Sequence, residues 1–245
     1  MVNDTSNETA AAVLPQLVFA ICGFIAVVMV AFAALHPFPC TDTLCRYAPM
    51  AEAFAAGNWA EAFHPRFATG MPIVAGMVRL ATGMDGLSAC AAVATLAWAL
   101  CAIPLFSIAD RVFGRTAAWF ALVLYFICPQ PLLWALKGLR EPFKILGILL
   151  TVDAIFCERT GGWRAFAAAA AGLSLLLTFK CDTVLTALVL ALVFAGVDHL
   201  GRRTWALAGF SALVLQPNCW LVYAWTGYWL PVPHLVSIWT RLNGG

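Results

Sequence analysis

The sequence predicts an all-α polytopic membrane bundle of about seven transmembrane helices. Three observations predict it. Of the 245 residues, 63% are hydrophobic and only 11% are charged, against roughly 45–50% and about 25% in soluble domains. Mean hydropathy is +0.88. Apolar runs on the scale of a crossing, about 20 residues, recur along the chain between short polar connections. This composition excludes a disordered chain, a nucleic-acid-binding surface and an ordinary cytosolic enzyme, and it leaves no space for a large water-soluble domain. Net charge is +2, so the placement of charge says more than its sum.

Residues 1–245 read as one membrane domain with four parts: a first helix (11–35), an outer loop (36–86), a helix bundle (87–226) and a tail (227–245). The polar start carries no Lys or Arg, so Ala11–Leu35 reads as an uncleaved first helix and not a signal peptide. Within the outer loop, Thr43 to Ala56 is amphipathic, with Leu44, Tyr47, Met50, Ala51 and Phe54 on one face. That pattern suits a helix lying on the membrane surface, which Pro49 would kink or restart. Met71–Thr82 is short and interrupted by Arg79, as an interfacial or re-entrant piece would be. Clearer spans follow at Leu87–Ala109, Thr116–Cys128, Pro142–Cys157, Ala165–Phe179, Thr183–Val197 and Thr204–Thr226. The tail is rich in Pro, Trp and Gly.

Three short connections carry two arginines each: Arg111/Arg115, Arg159/Arg164 and Arg202/Arg203. Parity puts them on one side, and the positive-inside rule makes that side cytoplasmic. The 36–70 segment, the Cys128–Glu141 loop and the Lys180–Asp182 turn then share the opposite face. Arg46, Arg66, Lys137, Arg140 and Lys180 lie there against the rule, and an anionic ligand is one local reason for keeping them. Most of the nine cysteines sit in apolar runs as small hydrophobes. Cys40 and Cys45 flank Asp42 in a polar segment, where a short disulfide loop or two free thiols are the alternatives.

Asp42 is placed to act as a general base at the outer surface, or else to cap the following helix as Thr41 and Thr43 also could. His64 could orient a substrate, ligate a metal or serve as a polar anchor. Arg66 could hold a phosphate bidentately or a lipid headgroup. Lys137, Arg140 and Lys144 share one face if the segment is helical, with Glu141 beside them. If the helix starts only at Pro142, the cations still gather at a helix N-terminus, which attracts anions. Lys144 lies inside the apolar run, where a cation costs roughly 2.5–3.5 kcal/mol. It needs a phosphate, a route to water or a carboxylate, with Glu141 and Asp153 as candidates. Lys180 and Asp182 either pair with each other or extend the anion site.

These segments together resemble a known pattern. The run Asp42-x4-Tyr47-x2-Met50 through Gly57-Asn58-Trp59-Ala60-Glu61-Ala62-Phe63-His64-Pro65-Arg66 resembles the first outer loop of GT-C-fold glycosyltransferases. The nearest group is the bacterial branch of the dolichyl-phosphate-mannose protein mannosyltransferases (family 39). Ala109-Asp110-Arg111-Val112-Phe113-Gly114-Arg115 is similar to that group's first cytoplasmic turn, and Leu139-Arg140-Glu141-Pro142 to its outer Glu-Pro motif. Leu177-Thr178-Phe179-Lys180-Cys181-Asp182 stands where the family has Leu-Thr-Arg-Pro-Glu.

The resemblance, from about Val13 to Val197, implies a GT-C-like bundle in the bacterial inner membrane with its active face extracytoplasmic. It implies an inverting transfer of sugar from a polyprenyl-phosphate donor to an acceptor, with Asp42 as base. Tyr47, His64, Arg66, Lys137, Arg140, Glu141, Lys144, Lys180 and Asp182 become substrate-binding candidates. It makes no cofactor certain, and a divalent metal is left open. Partners are the lipid-linked donor, membrane lipids and a membrane partner subunit, with no nucleic acid. Three departures bear on this. Asp42 is followed by Thr43 where the family has paired acids. Lys-Cys-Asp replaces Arg-Pro-Glu and loses the Arg fork. Family members are longer, so the match covers their N-terminal core. The alternative is a non-catalytic truncated paralogue or partner subunit that binds a lipid-linked sugar. A small transporter would need more polar residues through the bilayer than Lys144 and Asp153.

Overall fold

The computed structural model describes residues 5–64, 67, 69–179, 184–198 and 201–226. Among them every regular element is helical. Expectations for Arg66, Lys180, Asp182 and the 227–245 tail lie outside the described residues.

Helix α1 (Thr5–Leu35) starts earlier than its apolar run, because the polar Thr5–Ala10 continues the helix. Its Val18–Leu35 window is 11% buried, and Phe24 and Val27 are 70% and 69% exposed. An apolar surface of that kind is stable only against a non-aqueous solvent. Helices α5 (Gly86–Leu100) and α6 (Ala102–Phe113) run on as one 28-residue apolar stretch, Gly86–Phe113, with 67% of its window buried. This is the central helix of the bundle. Helices α7 (Arg115–Ile127) and α8 (Pro129–Leu136) form a pair bent by 49° at Cys128. The expected Cys128–Glu141 loop is therefore mostly α8, started by Pro129 in the first turn, where its missing N–H costs nothing. Among the described residues two helices are long and apolar enough to cross a membrane, or three if the bent pair is one span. The described residues thus form an all-helical fold suited to membrane association.

The segment before α5 folds into a helical cap. A π-helical turn, Thr43–Tyr47, leads into α2 (Ala48–Ala55), with the Ala48 N–H reaching the Thr43 carbonyl. The extra residue in that turn shifts the register. Thr43, Tyr47, Met50 and Ala51 are buried, while Leu44 is 52% exposed, so Leu44 does not share the face of Tyr47, Met50 and Ala51 that helical spacing predicts. Pro49 restarts the helix in the first turn of α2. Helix α3 (Trp59–Ala62) follows, with Trp59 and Phe63 stacked and Phe54 edge-on to both. Helix α4 (Gly70–Thr82) lies directly on α2, because a Cβ on Gly76 would stand only 3.0 Å from the Ala51 carbonyl oxygen. Arg79 donates to the Met84 carbonyl at 2.7 Å and stands 3.9 Å from Glu52, whose Oε1 accepts from Gly86 N–H at 3.1 Å. The basic residue that breaks the apolar run thus ties the cap to the start of α5.

Asp85 caps α5, its Oδ1 accepting from the N–H groups of Leu87 and Ser88 at 3.0 Å each. Partial burial would raise its pKa, but these bonds outweigh burial and lower it. Asp85→Ala is expected to cost about 1 kcal/mol. A lowered folded pKa means that this stability is present above about pH 4 and lost as pH falls through the folded value. Melting in detergent at neutral and acid pH checks both the loss and its disappearance in acid.

Helices α9 (Glu141–Gly161) and α10 (Trp163–Phe179) pair over their length, joined by Gly162 at φ +52°. Their backbones approach at facing glycines. A Cβ on Gly147 would stand 2.7 Å from the Gly172 carbonyl oxygen and 3.0 Å from Leu176. Such small-residue contacts let membrane helices pack closely. Gly147→Ala is expected to destabilise the protein by about 1–3 kcal/mol, since a backbone oxygen cannot turn aside; a thermal melt reads it. Helices α11 (Val184–Val197) and α12 (Arg202–Thr226) complete the described fold. Between them Asp198, with 3% of its side chain exposed, accepts from Thr204 N–H and pairs with Arg203 at 3.0 Å.

Candidate functional site

The outer-loop segment docks on the connector between α8 and α9. Phe38 N–H donates to the Leu136 carbonyl at 3.2 Å. Thr43 Oγ1 donates to the Lys137 carbonyl at 2.5 Å across 94 residues of sequence. The Cys40 thiol reaches the same carbonyl at 3.6 Å and Thr43 at 3.2 Å. Cys40 and Cys45 are both free thiols, so the disulfide alternative is not the one formed. Gly138 makes the docking possible. It holds φ +65°, and its Cα faces Thr43, Ala91 and Cys90 at distances a side chain would fill.

This connector corrects the expected helical face of Lys137, Arg140 and Lys144. Helix α8 ends at Leu136 and α9 begins at Glu141, with Arg140 at the N-cap position and Pro142 in the first turn. The left-handed Gly138 breaks any helix that would run through. Lys137 is therefore placed by the connector, while Arg140 and Lys144 belong to the start of α9. Lys144 lines a cleft of about 550 Å³ with Trp134, Leu139, Glu141 and Ile145. Asp153, a candidate partner for Lys144, instead stands 3.9 Å from Arg111. It is nine residues further along α9, roughly 13 Å away.

Tyr47 is the centre on which the two segments converge. It is buried to 3% exposure. The Arg140 guanidinium carbon lies 6.0 Å from its ring centre. Burial pushes the phenol up to about 12; Arg140 and Arg46 pull it down, and Asp42 and Glu141 add to the rise. Four charged groups from two distant segments thus act on one buried ring. Phe67 packs edge-on against Tyr47 at 6.4 Å, with the Arg46 guanidinium 5.0 Å over its face and the His64 ring 5.2 Å away. His64 joins the cluster through Phe67.

Asp42 neither caps the helix nor lies buried. Its side chain makes no capping bond. Its Oδ1 accepts from Arg46 at 2.6 Å, with 50% of the Asp42 side chain exposed. Arg46, read from the sequence as one of the outer cations, and Thr43, read as an alternative cap, are the neighbours that the structure adds to the candidate site. The i,i+4 spacing of Asp42 and Arg46 was the available signal for one; nothing local marks Thr43. Phe179, the last described residue of α10, stacks on Phe143 at 3.8 Å, next to the start of α9. Among the described residues no three His, Cys, Asp or Glu side chains gather to hold a metal ion. Comparison with family models, curated proteins and solved structures returns no match to this chain.

Proposed function

We propose that this chain is an integral membrane glycosyltransferase that moves a sugar, with inversion, from a polyprenyl-phosphate donor to a hydroxyl acceptor. It would work at the extracytoplasmic face of a bacterial inner membrane, within a GT-C-like bundle of about seven spans. The observation that carries the reading is the junction at Tyr47. There the half-exposed Asp42 carboxylate and the Arg140 and Glu141 side chains, distant from it in sequence, act on one buried ring, and Glu141 with Lys144 also lines a cleft of about 550 Å³. That volume is within the usual range of ligand sites.

The chemistry divides accordingly. Asp42 takes the proton of the acceptor hydroxyl as its oxygen forms the new bond to the anomeric carbon. The bond from that carbon to the phosphate oxygen breaks, and its electron pair leaves with the lipid phosphate. Arg140, Lys137 and Lys144, with Arg66 and Lys180, neutralise the departing phosphate, and Glu141 and Asp182 orient the cations or the acceptor. Tyr47 and His64 border the acceptor side. Every ligand follows from charge type: cations for phosphate and one carboxylate for a proton.

One observation favours the second reading, a non-catalytic subunit that binds a lipid-linked sugar: Asp42 is already bonded to Arg46. A transfer assay separates the two. Purified protein is given a panel of polyprenyl-phosphate sugars, and both lipid-phosphate release and donor binding are measured. Turnover supports the enzyme. Binding without turnover moves the protein to the partner reading. Absence of both removes the glycosyltransferase proposal.

A further inference from the structure

A second charged pocket lies at the other end of α9. From Glu141 to Cys157 the helix rises roughly 24 Å, so this pocket is separate from the Tyr47 junction. It encloses about 400 Å³ between α6, α9 and α10, and its walls include Arg111, Asp153, Cys157, Arg164, Ala165 and Ala168. The alanines keep it open. Arg111 is 43% exposed and Asp153 18%, and their 3.9 Å separation is at the outer limit of an ion pair. Arg111 Nε also donates to Ser107 at 3.3 Å. Arg164 is exposed and makes no ion pair among the described residues. Among the described wall residues two guanidiniums stand against one carboxylate, an excess of one positive charge.

Guanidinium forks match the oxygens of phosphate better than any other common anion donor in proteins. The first turn of α10, which includes Arg164 and Ala165, adds the positive end of a helix dipole. Beside the arginines, Phe113 and Trp163 are 76% and 67% exposed. Aromatic rings flanking basic residues are the composition of a membrane–water interface. Basic pockets between helices at that level hold phosphorylated headgroups.

We propose that this pocket binds a phosphate ester or free phosphate through Arg111 and Arg164, with Asp153 on the opposite wall limiting affinity. This site does not depend on the glycosyltransferase reading. The test measures dissociation constants by calorimetry on the full chain in detergent, with dihexanoylphosphatidate and inorganic phosphate as probes. Arg164→Gln is expected to weaken binding about tenfold or more, the loss of one charge-assisted pair. Asp153→Asn should tighten binding several-fold, since it removes a like charge facing the ligand. Arg202→Gln, an exposed arginine outside the pocket, should leave binding unchanged. Preference for phosphatidate makes the ligand a lipid headgroup; equal or better binding of inorganic phosphate makes it a soluble phosphate. Binding of neither probe, an unchanged constant in Arg164→Gln or Asp153→Asn, or an equal loss in Arg202→Gln would overturn the assignment.

Discussion

Asp42→Asn is expected to lower sugar transfer by about 10²–10⁴-fold, the usual contribution of a positioned general base. The substitution preserves shape and hydrogen-bonding reach but cannot accept the acceptor's proton. It should leave the fold intact. The pair it weakens is half exposed, and exposed ion pairs contribute roughly 0–1 kcal/mol. The melting temperature should therefore hold while turnover falls, and donor binding should hold with it. Arg46→Gln makes the complementary measurement. Asp42 Oδ2 makes no hydrogen bond among the described residues, and Oδ1 is bonded to Arg46. Freeing Oδ1 should keep or raise transfer if the carboxylate is the base. If Arg46 and Asp42 matter only as a surface pair, both substitutions will give the same small change in stability and no change in transfer.

Gly138→Ala is expected to be the most damaging single methyl in the site region. A side chain at φ +65° costs on the order of 1–3 kcal/mol in backbone strain. The added Cβ would also stand 3.0 Å from Thr43 Cγ2, 3.1 Å from Ala91 N and 3.1 Å from the Cys90 carbonyl carbon. Two of those three atoms are backbone of the central helix and cannot move aside. The relief must come from the connector lifting away, which breaks the Thr43–Lys137 bond. A fall in melting temperature of roughly 2–4 °C per kcal/mol is expected for a chain of this size, with a further loss of transfer at temperatures where the protein is still folded. Gly57→Ala is the comparison: φ is +74° but nothing lies within 4 Å. It carries the strain without the collision. Equal losses from both would mean that the packing of the connector on α5 does not hold the site together.

The helices were largely legible because their signals are local. Pro142 and Glu141 announce the start of α9, as Gly114 and Gly162 mark turns between apolar runs. Arg111 and Arg164, grouped on one side by loop parity, line one pocket. The departures have equally definite causes. An α-helical period puts Leu44 on one face with Tyr47, Met50 and Ala51, and the π-turn separates it from them. Of the two alternatives for Lys137, Arg140 and Lys144, a shared helical face or a helix starting only at Pro142, the second is the one formed, because Gly138, packed against α5, takes the left-handed conformation. Of the two carboxylates that the sequence offers Lys144, Glu141 and Asp153, the second has its neighbour on another helix.

What the sequence by itself determined is the helical class, the suitability for a membrane, most helix boundaries and the inventory of charges available to a phosphate. Each depends on composition, apolar run length or a Pro or Gly acting within one turn. What only the tertiary structure decided is who faces whom across the chain: Thr43 with the Lys137 carbonyl, Arg140 beside Tyr47, and Arg111 with Asp153. These join segments far apart in the chain. The packing of α5 against the cap and connector brings the first two together and the packing of α6 on α9 the third, and no local pattern encodes a distance between residues on different helices.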